Sequence, residues 1–174
     1  MTLRATGRFL LAAAVAAAAL SRTAAAGGIE PKAAFERLKT LAGTWQGAAG
    51  HGQPAETATV TYRVASGGSV VQETLFPGTP HEMISMYHLA DGALVMTHYC
   101  AMGNQPRMKL DLAASTPERL VFAFDGGTNF DPAKDGHVHS GTLEWKGELL
   151  HADWAVWTAG RESGHNVFEL RRSK

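Results

Sequence analysis

The run Val60-Thr61-Tyr62-Arg63-Val64-Ala65-Ser66-Gly67-Gly68-Ser69-Val70-Val71-Gln72-Glu73-Thr74-Leu75 decides the fold. Apolar and polar residues alternate on both sides of a glycine pair, which is the pattern of two strands joined by a tight turn. With Gly67-Gly68 as that turn, Val64 faces Val71, Tyr62 faces Glu73 and Val60 faces Leu75. One face of the hairpin is then apolar apart from Glu73. A slip of one residue would exchange the two faces, so the pairing is a definite expectation.

The same grammar continues downstream. Asp91-Gly92 as a turn sets Leu89 against Leu94, Tyr87 against Met96, Ser85 against His98 and Met83 against Cys100. Lys146-Gly147 as a turn sets Leu143 against Leu150, His139 against Trp154 and His137 against Val156. Residues 107–112 and 119–124 each offer an apolar face, Met108, Leu110 and Leu112, then Leu120, Phe122 and Phe124. The last strand, 165–172, does so with Phe168 and Leu170. Residues 125–136, with Gly126-Gly127, Asn129 and Pro132, form the longest irregular stretch and suit a loop at a barrel mouth.

Upstream, residues 31–41 read as one short helix. Pro31 suits a first turn, Phe35, Leu38 and Leu41 recur at helical spacing, and Gly43 follows. One helix cannot cover roughly nine or ten one-faced strands, so the sheet must close on itself. The fold class expected is therefore all-β, a single up-and-down antiparallel β-barrel with a short N-terminal helix. A two-sheet sandwich is the runner-up.

Composition bounds the partners. The chain has 174 residues, 16 Lys+Arg against 16 Asp+Glu, and one cysteine. Three of those bases, Arg4, Arg8 and Arg22, lie in residues 1–26, which read as an export signal: a basic start, an apolar run over 9–20 and Ala24-Ala25-Ala26 as a small-residue cleavage site. Residues 27–174 then form one domain with a slight excess of acid, expected to be periplasmic or secreted. Such a surface offers no general attraction to nucleic acid, and no later stretch suits stable membrane insertion, so a small-molecule ligand is the expected partner. The lone Cys100 cannot make an internal disulfide.

The helix, then Leu41-Ala42-Gly43-Thr44-Trp45, then a meander of strands resembles the calycin superfamily, the lipocalins and their relatives. There a short helix closes one barrel end and a Gly-x-Trp opens the first strand. Gly43 and Trp45 are then expected to form a structural motif with Arg172 or Arg171 reaching the indole; Arg172 shares a face with Phe168 and Leu170, which makes its stacking on Trp45 feasible. Gly43-Thr44-Trp45-Gln46-Gly47 is also similar to the opening of the haem-binding nitrobindins, although the next glycine comes only at Gly50. That likeness invites comparison of His165 with their haem-ligating histidine. The stretches 75–83 and 97–107 resemble exported bacterial proteins of lipocalin-like type.

The registers above turn a set of polar residues inward. Tyr62, Glu73, Ser85, Tyr87, Met96, His98, His137, His139 and Trp154 are the candidate ligand-binding residues. His98, His137 and His139 are further candidates to hold a divalent metal, because neutral imidazoles offer lone pairs and His-x-His on a strand presents two to one side. Glu73, if inward, needs a partner such as Tyr62. Asn104-Gln105-Pro106-Arg107 is a polar connection, either a ligand contact or a solvated turn. Met83, Met86, Met96, Met102 and Met108 suit core filling or an adaptable pocket. Catalytic signatures are missing, and Ser85 near His98 has no third group or oxyanion site to complete a nucleophile. The functional expectation is an exported protein binding a small, partly apolar ligand inside a barrel, leaning away from an enzyme. The alternative is a metal- or haem-binding barrel, an enzyme among the options, that uses interior histidines.

Overall fold

A computed structural model describes Met1, residues 28–52 and residues 56–174. The expected export segment lies, Met1 apart, outside the described residues. The chain opens with helix α1 (Pro31–Lys39) and continues through β1 (Gly43–His51), β2 (Glu56–Ala65), β3 (Val70–Leu75), β4 (Met83–Ala90) and β5 (Ala93–Tyr99). It ends through β6 (Gln105–Leu110), β7 (Arg119–Thr128), β8 (His137–Lys146), β9 (Leu149–Thr158) and β10 (Arg161–Arg172). Each strand pairs antiparallel with its sequence neighbours, and β10 returns to pair with β1, closing a ten-stranded barrel. Closure leaves no sheet edge unpaired, the physical reason a one-faced meander adopts it.

The first two hairpins have the register read from the sequence. Val60, Tyr62 and Val64 pair with Leu75, Glu73 and Val71, and Ser85, Tyr87 and Leu89 pair with His98, Met96 and Leu94. The third differs. Lys146 pairs with Leu149 and Leu143 with Ala152, two residues beyond the expected partner, which keeps the faces but moves the rows. A bulge then falls between Val138 and Ser140, and His139 is the extra residue. A β-bulge of this kind exchanges the faces of everything beyond it. In the strand after Asn104, Leu110 is buried but Leu112 lies past the end of β6 and is exposed.

Helix α1 caps one end. It buries Ala34, Phe35 and Leu38 against the barrel core, while Arg37 and Lys39 sit in its last turn, where the helix dipole favours cations. The chain then turns into β1 through Gly43, whose φ of +130° suits glycine and whose missing Cβ leaves room for the Arg172 guanidinium. Trp45 donates its indole N–H to the Leu41 carbonyl at 2.7 Å. Arg172 lies over the Trp45 ring, 4.7 Å from its centroid, and donates to the Ala42 and Thr40 carbonyls. The Gly43, Trp45 and Arg172 motif thus ties the last strand to the helix exit. Among the described residues no helix is long and apolar enough to cross a membrane.

Candidate functional site

The capped half of the barrel is filled by side chains such as Leu38, Leu94, Met108, Leu120 and Leu143, all fully buried. The other half is not. Toward the end where β1 stops and β2 starts, a cavity of about 450 Å³ opens. Leu75, Phe76, Met83, Met96, Trp154 and Phe168 supply much of its apolar wall, and His51, Glu56, His81 and Met102, all exposed, ring its mouth. That volume falls in the range of small-molecule sites, as does an apolar wall carrying a few polar groups. Gly141 contributes by absence: a Cβ there would stand 2.0 Å from the Trp154 ring, so glycine lets the indole lie flat against the sheet.

The polar groups of the floor form one row across four strands. Tyr62 on β2 pairs with Glu73 on β3, Glu73 with Ser85 on β4, and Ser85 with His98 on β5. Because ladder partners on one face lie side by side, consistent register alone makes these side chains meet. Tyr62 donates its hydroxyl to Glu73 Oε1 at 2.6 Å, and Tyr87 donates to Glu73 Oε2 at 3.0 Å. Ser85 Oγ lies 3.1 Å from His98 Nδ1. The other ring nitrogen, His98 Nε2, is buried and has no hydrogen-bond partner, on a residue that lines the cavity.

Burial governs the charges. It raises the Glu73 carboxyl above its ordinary value, and hydrogen bonds from Tyr62, Ser85 and Tyr87 oppose that rise. Burial and then the neighbouring Glu73 charge push the Tyr62 and Tyr87 phenols well above theirs, which keeps both as donors. Burial lowers His98 to about 4, so its imidazole is neutral at neutral pH.

Of the residues expected to contact a ligand, Ser85, Met96, His98 and Trp154 line the cavity. Tyr62, Glu73 and Tyr87 lie behind that wall as its support. His137 and His139 do not join them. Val138 and Val156 line the cavity, and His137, the next residue along β8, pairs with Trp157 on the opposite face. His139, displaced by the bulge, is stacked between Trp157 and Phe124, at 3.8 and 4.4 Å between ring centroids. His137 bonds to His139 Nδ1 at 3.0 Å and to the Asp135 carbonyl at 2.9 Å. The expected three-histidine convergence therefore fails, because one extra residue turns the pair away from His98. Among the described residues no three His, Cys, Asp or Glu side chains converge where a metal ion would sit.

Other candidates are used structurally. Arg107 is held by Asp125, and Asn104 donates to the Gly136 carbonyl at 2.8 Å. His165 is bonded to Asp153 and Glu162 and alternates with the cavity-lining Asn166 and Phe168. It therefore faces away from the cavity and does not fit the role of a haem ligand there. Met83, Met96 and Met102 belong to the cavity and Met108 to the filled core. Cys100 Sγ touches Met83 Sδ at 3.9 Å, so the expected facing of these two residues holds.

Sequence reasoning missed Phe76, His51, His81 and Asn166. Asn166 was within reach, since it shares a face with Phe168 and Leu170 by strand alternation. Phe76 and His81 lie in a loop without period, where no pattern points inward. No protein-family model matches the chain, and neither does any curated protein sequence.

Proposed function

We propose that this protein binds a small, largely apolar ligand in the open half of the barrel, with one polar group of the ligand hydrogen-bonded to His98. The observation that carries the reading is the buried, unpartnered Nε2 of His98 on the wall of a cavity of about 450 Å³. Leaving such a group unsatisfied costs about 1–3 kcal/mol, which a bound ligand or ordered water recovers. Export to the periplasm or beyond belongs to the same proposal, supported by the basic, apolar and small-residue order of residues 1–26.

Haem or a divalent metal is the alternative occupant, favoured by the same nitrogen. His98 is the one buried imidazole on the cavity wall among the described residues, so it is the residue that would hold the iron. Hydrolytic chemistry has less support: Glu73 stands behind Ser85 rather than behind His98, so no carboxylate orients the imidazole toward a serine nucleophile.

Native mass spectrometry and an absorption spectrum of protein purified without a tag test these readings together. Ligand binding predicts added mass or saturable quenching of Trp154 fluorescence by short-chain alcohols, both abolished when Val156→Trp fills the cavity. A haem band would favour the alternative. No added mass, no haem band and no quenching would reject both.

A further inference from the structure

We propose that the row Tyr62, Glu73, Ser85 and His98 fixes the tautomer of His98, so that Nε2 presents a lone pair and the occupant is selected for a hydrogen-bond donor, an alcohol, phenol or N–H group. This inference rests on the ligand reading above and names the chemistry of its polar anchor.

Each tyrosine hydroxyl has one hydrogen, and each has a different Glu73 oxygen as its partner, Tyr62 on Oε1 and Tyr87 on Oε2. An ionised carboxylate accepts well on both oxygens, whereas a neutral acid accepts well only on its carbonyl oxygen. The two-sided geometry therefore suits the anion, whose bonds to donors are also the stronger kind. Ser85 stands beside that carboxylate on the same buried face of the ladder. A buried hydroxyl beside an anion turns its one proton toward that anion, so Ser85 accepts from the ring nitrogen 3.1 Å away. His98 must then carry its proton on Nδ1, because the neutral imidazole has one N–H in total. Nε2 faces the cavity as an acceptor.

The same wiring makes Glu73 and Ser85 positioning residues. Neither supplies the contact to the ligand that His98 supplies, yet each sets what that contact demands. Replacing the carboxylate by an amide introduces a donor at this point of the row. Ser85 is then free to direct its proton to His98 Nδ1, and Nε2 becomes the N–H.

Protein carrying 15N-labelled histidine reads the tautomer directly. The His98 resonances are assigned by their loss in His98→Gln. The wild type at neutral pH is expected to show a protonated Nδ1 and an unprotonated Nε2. Glu73→Gln is expected to move the pattern toward a protonated Nε2. If that variant fails to fold, Ser85→Ala, which removes the acceptor of the Nδ1 proton, is expected to release the preference into a mixture. In binding, octan-1-ol is expected to exceed its methyl ether at least tenfold, because only the alcohol donates. A protonated Nε2 in the wild type overturns the proposal, and so does an ether that binds as tightly as the alcohol. If the nitrogen pattern is as expected and neither probe binds, the tautomer assignment stands and the ligand reading falls.

Discussion

Two histidine clusters lie in different parts of one barrel wall. Inside, His98 shares an unbroken ladder row with Ser85, Glu73 and Tyr62. Away from the cavity, His137 and His139 sit among Phe130, Trp157 and Phe124, the last being the ladder partner of the core residue Met108, with His139 sandwiched between two rings. The inner cluster owes its position to strict alternation, the outer one to a single break in it. Polar residues in the first row are wired to each other and leave one nitrogen free for the cavity. In the second, His137 spends its two ring nitrogens on the Asp135 carbonyl and on His139, His139 is stacked between rings, and neither histidine lines the cavity.

The inner row is disrupted most severely at Glu73. Glu73→Ala would leave the Tyr62 and Tyr87 hydroxyls buried without acceptors. At about 1–3 kcal/mol for each orphaned group, the loss is expected to be about 4 kcal/mol in urea denaturation. Adding Tyr62→Phe and Tyr87→Phe to that variant should recover much of the loss, since no hydroxyl is then left unpaired. A triple variant as unstable as the single one would contradict the wiring.

His98 gives the next largest effect, and it depends on pH. The folded protein holds the imidazole at about 4 and the unfolded chain titrates near 6.5. Between those values the unfolded state binds the proton that the folded state refuses. The contribution of His98 is therefore complete above pH 6.5 and lost as pH falls to 4, by about 3 kcal/mol. Wild type and His98→Leu compared at pH 7 and pH 4 should differ in acid sensitivity by roughly this amount. Equal losses in the two proteins would show that His98 is solvated.

The outer cluster should respond least and in isolation. His139→Ala removes two ring contacts from a partly exposed stack, an expected loss of about 1 kcal/mol. Ligand affinity in the cavity should be unchanged. A change in affinity of tenfold or more would mean that the two clusters are coupled, and the distinction between them would fail.

The accuracy of the sequence reading follows the regularity of the strands. Gly67-Gly68 and Asp91-Gly92 fix their hairpins because each separates two runs of uninterrupted alternation, and the Tyr62–Glu73 and Ser85–His98 pairs follow from them; that Glu73 stands beside Ser85 was set by the β3–β4 register across the irregular loop 76–82. Lys146-Gly147 looks equally clear, yet the turn there falls one residue later, and nothing in the series from His137 to Ser140 marks a bulge. An extra residue leaves alternation visible on both sides while exchanging the faces between them. The cavity mouth was less legible still, because His51, Phe76 and His81 sit at a strand end or in a loop, where side-chain direction has no period.

The sequence by itself determined the class of architecture. A meander with one apolar face and a single short helix has to close, and Gly43, Trp45 and Arg172 have to meet where its ends join. It also determined that a carboxylate, a serine and an imidazole face inward, because pairing across each tight turn carries that information. Only the tertiary structure decided that half of the barrel is filled and half is open, that His98 Nε2 is the nitrogen without a partner, and that His137 and His139 lie away from the cavity. Those outcomes depend on how side-chain volumes from distant strands sum inside a closed wall, and on one unpaired residue in β8. Neither quantity is written in any local stretch of the chain.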